Sequence, residues 1–268
     1  MGDEAGLVGR AVAGEPAAFD ALVGPVVPAL TAYVRRMIGH PEDARDLVQD
    51  TLLRAFESIA EFRGDARLET WLFAIATRRC IDHLRARKRW SWDAQEEVRR
   101  YLYETLGDEV REKLFPADYR FDAHEHIAFC FTCVGRSLDP VEQAALVLTE
   151  VLELGNRESA RALGLSESVL RHRLSSARAT MHERFEGLCA LVNKKGVCHQ
   201  CAGLRKQAAG ERQGPAIPDL GGEGTDAEEK HRRRLAIVRD GGVHRGAMQP
   251  FHDTLWRALE RFAEARHP

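Results

Sequence analysis

The sequence predicts an all-α chain: two small helical domains joined by a long linker, followed by a C-terminal extension. Three observations predict this. Apolar residues recur at helical spacing through almost all of the chain up to residue 190. Glycine and proline fall mainly between those apolar stripes. From residue 187 the texture changes, first to cysteines and then to a Gly-, Pro- and charge-rich run. The divisions are drawn at 1–90, 91–137, 138–186 and 187–268.

Pro16 stands where a first helical residue would, since its missing N–H costs nothing there. Phe19, Leu22 and Val23 follow at helical spacing, and a second helix runs from about Ala29 to Ile38. Gly39-His40-Pro41 is a break and restart. Ala44, Leu47, Val48, Leu52, Ala55, Phe56 and Ile59 then form one apolar stripe. Phe62-Arg63-Gly64-Asp65 is a loop, and a helix follows from about Leu68 to Arg89. Residues 90–125 are charged and broken by Gly107 and Pro116, which makes them a linker. Asp139-Pro140 opens a second domain with a helix from Val141 to Leu154, a short helix Arg157–Leu163 and a longer one Glu167–Phe185. Ser166 can cap that last helix. Residues 208–230 have the composition of a flexible linker, and Phe251, Leu255, Trp256, Leu259 and Phe262 mark a final amphipathic helix.

Composition narrows the function. The chain has 268 residues, with 39 Lys+Arg against 41 Asp+Glu and a formal net charge of -2. Hydrophobic residues are 44% and charged residues 30%, a globular balance. No run approaches the ~18 apolar residues of a membrane span, and the N-terminus MGDEAGLVGR lacks the apolar core of a signal peptide. A cytoplasmic protein with no membrane insertion is the expectation. Six Cys without an export signal argue against a disulfide framework and leave metal binding, redox sensing or burial.

The distribution of charge says more than its sum. Residues 40–69 hold eight acids and four bases, whereas residues 77–89 hold six bases and one acid. An acidic helix beside a basic one points to two different partners. On the acidic helix, Asp43, Asp46, Gln49, Asp50 and Leu53 lie off the apolar stripe and form a docking face for protein; a merely solvated face is the alternative. On the basic helix, Arg78, Arg79, Asp82, His83, Arg85, Arg87, Lys88 and Arg89 are candidates to follow a phosphate backbone, again against a plain charged surface. Phe62, Trp71, Phe73 and Trp90 lie nearby, and opened bases stack on aromatic faces, although core packing competes for them.

The clearest local signal is Ser159 to Leu174, which has the pattern of a helix-turn-helix with Gly164 in the turn. Ala160, Leu163, Leu165, Val169, Leu170 and Leu174 would form its small core. Arg171, His172, Arg173, Ser175, Ser176 and Arg178 would remain on or near the outer face, where Arg can pair with guanine and phosphate. An ordinary helical hairpin with a basic face is the competing reading.

The ordered set resembles a known family. Asp-Leu-Val-Gln-Asp-Thr-Leu-Leu at 46–53 resembles the core-polymerase-binding helix of bacterial sigma factors. Thr70 to Arg85 resembles their promoter-melting and minus-ten-reading segment, and Leu138 to Arg178 resembles their second conserved domain, region 4. Two domains without further regions resemble the extracytoplasmic function (ECF) group. The resemblance covers 15–90 and 138–186 and implies a region 2-like bundle and a region 4-like helix-turn-helix. It implies that Asp46, Gln49, Asp50 and Leu53 contact core RNA polymerase. It also implies that Glu61–Ala66 and the helix through Arg89 capture the opened strand of promoter DNA, and that Arg171, Arg173, Ser176 and Arg178 lie on the minus-thirty-five duplex. An anti-sigma factor is a further implied partner. Such a protein catalyses nothing itself, and the sequence carries no convincing Ser/His/Asp set, no phosphate loop and no general-base carboxylate paired with a metal motif.

The cysteines stand apart from this set. Cys130 and Cys133 form one C-x-x-C, and Cys198 and Cys201 a second. C-x-x-C twice is a tetrahedral zinc pattern, here with the whole second domain between the pairs. Zinc or another thiophilic metal on Cys130, Cys133, Cys198 and Cys201 is one expectation, with His126, Cys189 and His199 as alternates. A thiol–disulfide switch is another, and two unrelated buried pairs a third. Cys80 belongs to the core of the basic helix. A stand-alone helix-turn-helix regulator with a Cys-rich sensor remains the alternative function.

Overall fold

Proline and glycine set the helix ends in the first quarter of the chain. Pro16 and Pro41 each stand at a helix start, and Gly39 closes a helix at φ 82°. The computed structural model describes residues 4–87, 89–105, 115, 119–208, 214, 216–240, 246 and 248–266. In chain order its helices are α1 Glu4–Val12, α2 Pro16–Val23, α3 Val27–Ile38, α4 Pro41–Glu57, α5 Leu68–Arg85, α6 Ala94–Thr105 and α7 Ala123–Gly135. There follow α8 Pro140–Leu146, α9 Asn156–Leu163, α10 Glu167–Leu188, α11 Gln200–Gln207, α12 Ala227–Asp240 and α13 Gln249–Arg266. Among the described residues the only β pairing is an isolated parallel bridge between Cys189 and Cys198. No single described helix is long and apolar enough to cross a membrane.

Two compact units emerge, and each is assembled from two stretches of chain. The first takes Met1–Ala86 and Ala144–Leu174; the second takes Arg87–Gln143 and Ser175–Pro268. These cuts differ from the divisions at 90, 137 and 186. The reason is packing: α9 lies against α5, and the π-helical turn Val147–Val151 lies against α3.

The core of the first unit is aliphatic with a few rings. Phe19, Leu22, Val23, Ile59, Leu68 and Leu72 form one cluster, and Phe19 meets Phe56 edge to face at 5.2 Å. Tyr33 meets Phe73 at 5.4 Å, and the hydroxyls of Tyr33 and Thr77 share a buried hydrogen bond of 2.8 Å. That bond satisfies two polar atoms that burial would otherwise penalise.

The second unit departs most from the sequence expectation. Residues expected to form a linker are α6 and α7, and almost all of α7 is buried. A helix buried on all sides shows no amphipathic stripe, so periodicity cannot reveal it. Asp122 caps it by accepting the His124 and Glu125 N–H groups at 2.8 and 3.1 Å. α13 closes the unit: Trp256 meets Trp90 at 4.5 Å, and His252 stacks on Phe129. The run expected as a flexible linker at 208–230 is partly outside the described residues, and its end begins α12, where Lys230 and Arg234 are buried.

Three smaller expectations change. α1 precedes the first helix read from the sequence, α5 stops at Arg85 rather than Arg89, and Val141–Leu154 is broken. There the α-helix gives way to a π-helical turn, and the chain reverses through Glu153 at φ 57°.

Candidate polymerase and nucleic-acid interfaces

α4 divides its polar residues between two faces. Ala44, Val48, Thr51 and Ala55 are buried. Asp46, Gln49 and Leu53 are exposed and share one face, being three and four residues apart. Leu53 is 57% exposed, among the most exposed large apolar side chains described. Asp43 and Asp50 belong to the inner edge instead. Arg79 Nε donates to Asp50 Oδ2 at 2.5 Å, and His83 Nε2 lies 3.6 Å from Asp43 Oδ2.

The basic helix is therefore split as well. Arg78, Asp82 and Arg85 are exposed along one face of α5, while Arg79 and His83 turn toward α4. Cys80 is fully buried, and burial pushes its thiol far up. Arg87 pairs with Glu260 at 3.0 Å, and Arg89 donates to the Ser137 carbonyl at 3.0 Å, both in the second unit. Lys88 lies outside the described residues.

Ahead of α5 the loop turns at Gly64, φ 73°. Phe62 and Trp71 flank it as a half-buried pair at 5.4 Å, whereas Phe73 and Trp90 are core. Arg161 of α9 donates to the Asp65 carbonyl at 3.0 Å, and Arg67 lies 3.7 Å from Glu158. The short helix of the helix-turn-helix thus touches the loop read as the strand-capturing element.

The helix-turn-helix takes the expected form. Glu158 accepts the Gly155 N–H at 3.3 Å at the start of α9, and Gly164 ends it at φ 65°. Ser166 Oγ accepts the Val169 N–H at 3.3 Å, capping α10. Ala160, Leu170 and Leu174 are buried and Leu163 packs beside them. Val169, expected in this core, is 43% exposed, because it lies on the outer side of α10. Arg171, His172, Arg173, Ser175 and Arg178 are exposed and Ser176 is half-buried.

The thiols are distributed differently from the two C-x-x-C pairs. Cys130, Cys189, Cys198 and Cys201 line one cavity of about 190 Å³ together with His199 and Arg234. Cys133 sits in the apolar cluster of Trp90, Ala94 and Val98, its thiol facing Gln95 and Arg136. Burial pushes the Cys130, Cys133 and Cys201 thiols up. His126 also borders the cavity, but its Nδ1 lies 3.2 Å from His252 Nε2. As they stand, no three described His, Cys, Asp or Glu side chains hold metal-binding geometry. Sequence reading missed the neighbouring buried group of Glu125 and His252, 3.7 Å apart, since nothing local links residues so distant in the chain.

Residues 22–90 match the family model for sigma-70 region 2. SigG of Mycobacterium tuberculosis, an ECF RNA polymerase sigma factor, is 33% identical over 176 residues, covering 61% of this chain and 47% of SigG. The chain thus spans about half the length of that relative. RNA polymerase sigma factor CnrH of Cupriavidus metallidurans is 31% identical over 183 residues, covering 65% of this chain and 90% of CnrH. The ECF RNA polymerase sigma factor SigM of Mycobacterium tuberculosis is 30% identical over 179 residues, covering 66% of this chain and 82% of SigM. These relatives place the chain among the RNA polymerase sigma factors. More narrowly, the chain belongs to the ECF group of RNA polymerase sigma factors.

Proposed function

We propose that this protein is a transcription initiation factor that recruits core RNA polymerase to particular promoters, assists their melting and catalyses nothing itself. The observation that carries the reading is the exposed Asp46–Gln49–Leu53 face on the helix preceding a basic α5. Core polymerase docks on that face, with Leu53 as its apolar anchor. Arg78 and Arg85 on α5 then meet the phosphates of promoter DNA, a salt-sensitive attraction. Phe62 and Trp71 offer rings on which an unpaired base stacks. Arg171, Arg173 and Arg178 of α10 suit the major groove and its phosphates.

The second unit supplies regulation through its thiols. This is supported by chain geometry: the DNA-reading helix α10 ends at Leu188, and Cys189 follows directly. A change of state at the thiols therefore acts on the anchored end of that helix.

Transcription with bacterial core polymerase on a pool of genomic fragments tests the main reading. Discrete start sites that require the protein support it. Tight duplex binding without polymerase, and no pull-down of core, would instead support a stand-alone regulator.

A further inference from the structure

We infer that Cys130, Cys189, Cys198 and Cys201, and not Cys133, form a four-thiolate site for a thiophilic divalent ion of the zinc class. The inference rests on the regulatory reading of the second unit and names its ligand.

The backbone brings these residues together from three elements. Cys130 projects from the middle of α7, Cys189 follows the end of α10, and Cys201 lies in the first turn of α11. Cys189 and Cys198 are bridge partners: the Cys198 N–H donates to Leu188 O at 2.7 Å, and the Ala190 N–H donates to Cys198 O at 3.1 Å. Strands paired this way lie about 4.8 Å apart, with partner side chains on one side. Gly196 permits the approach, because a Cβ there would stand 2.6 Å from the Cys189 carbonyl carbon. The return of the chain to Cys189 is thus built into the loop.

The surroundings suit the charge of such a site. A divalent ion on four thiolates carries a net double negative charge, which burial would penalise. Arg234 lines the same cavity, is 3% exposed, and holds its guanidinium carbon over the Phe185 ring, 3.6 Å from the centroid. It is a cation fixed beside the thiols. Cys133, three residues from Cys130, does not line this cavity and is buried in the apolar cluster of Trp90, Ala94 and Val98. On binding, each thiol gives its proton to water, one sulfur–metal bond forms per cysteine, and no electron is transferred. The four side chains do not hold metal geometry as they stand, so binding requires them to reorient within the cavity they line.

The full chain, purified without oxygen or chelator, carries about one zinc per chain by elemental analysis. Cobalt(II) titrated into the metal-stripped chain gives thiolate-to-metal charge-transfer absorption. Cys133→Ala keeps both signals. Cys189→Ser loses the zinc, or keeps a cobalt band weaker by about one quarter, as expected for one ligand in four. Helical circular dichroism confirms that each variant is folded; where Cys189→Ser is not, the wild-type and Cys133→Ala titrations decide alone. A wild-type chain with no zinc and no cobalt band overturns the inference, as does loss of both signals in folded Cys133→Ala. A Cys189–Cys198 disulfide in place of the metal also overturns it. Core-polymerase pull-down on the same samples separates the two readings: metal without core binding would contradict the sigma factor function alone.

Discussion

The guanidinium of Arg79 reaches the carboxylate of Asp50 at 2.5 Å, tying α5 to α4 inside the first unit. The bond joins a residue read as DNA-binding to one read as polymerase-binding, so both serve the fold of the region between them. Asp50 also holds Arg54 at 3.4 Å on its own helix. The pair is about one-third exposed, which limits its worth to about 0.5–1 kcal/mol. Arg79→Ala and Asp50→Ala should each lower the melting temperature slightly. Because the two partners share one interaction, the double variant should lose less than the sum, measured by thermal denaturation.

The exposed face should behave in the opposite way. Asp46→Ala and Leu53→Ala leave the melting temperature within experimental spread, since neither side chain is buried. Both weaken core-polymerase binding, with Leu53→Ala costing about 1–2 kcal/mol if it anchors the interface. Equilibrium binding to fluorescently labelled core polymerase reads this directly.

Arg78 and Arg85 should act on DNA alone. Replacing either by Ala leaves core binding unchanged and weakens promoter binding by the polymerase complex. The slope of log affinity against log salt should fall by about one for each phosphate contact removed. A gel-shift series over salt concentration gives that slope. Arg79→Ala should leave it unaltered.

Gly164 bears the turn of the helix-turn-helix at φ 65°, where a side chain is strained although the space around it is open. Gly164→Ala should cost about 1–2 kcal/mol through backbone strain, seen in the denaturant midpoint.

The buried pair of α7 sets a pH signature. Burial raises the Glu125 carboxyl from 4.5 to about 7, with the Met248 N–H opposing and Asp122 adding. Burial lowers the His126 imidazole from 6.5 to about 4, with Gln200 opposing. His252 lies between them. The folded chain holds the Glu125 proton more tightly than the unfolded chain. That stabilisation is present below pH 4.5 and lost as pH rises through about 7. The folded chain refuses the His126 proton, so stability falls as pH drops from 6.5 toward 4. The two effects oppose each other in the overlap. Glu125→Gln removes the first, so its melting temperature should fall more steeply than the wild type's on acidification from 7 to 4.5. Parallel curves would contradict this.

Much of the first unit was legible because its helices are amphipathic and punctuated. Pro16, Pro41, Gly64 and Gly164 fall where the structure breaks, and the stripe from Ala44 to Ile59 faces the core. The helix-turn-helix was legible for the same reason, with Ser166 and Gly164 at the expected ends. What escaped was tertiary. α7 is buried almost all round, polar Glu125 and His126 included, so the run from Ala123 to Gly135 carries no apolar face to read. Arg79 and Arg78 are adjacent residues of one basic run, and only packing against Asp50 separates them. The two C-x-x-C spacings paired Cys133 with Cys130, whereas the return of the loop at Gly196 sets Cys189 beside the others.

Transcription in vitro with bacterial core polymerase, comparing the wild-type chain with Leu53→Ala, decides whether this chain recruits the polymerase. The sigma-factor reading predicts transcripts from discrete start sites that appear only when the chain is present. It also predicts that Leu53→Ala needs a higher protein concentration for the same yield, with start sites unchanged. No chain-dependent transcript from any genomic fragment, together with no measurable core binding, would contradict it.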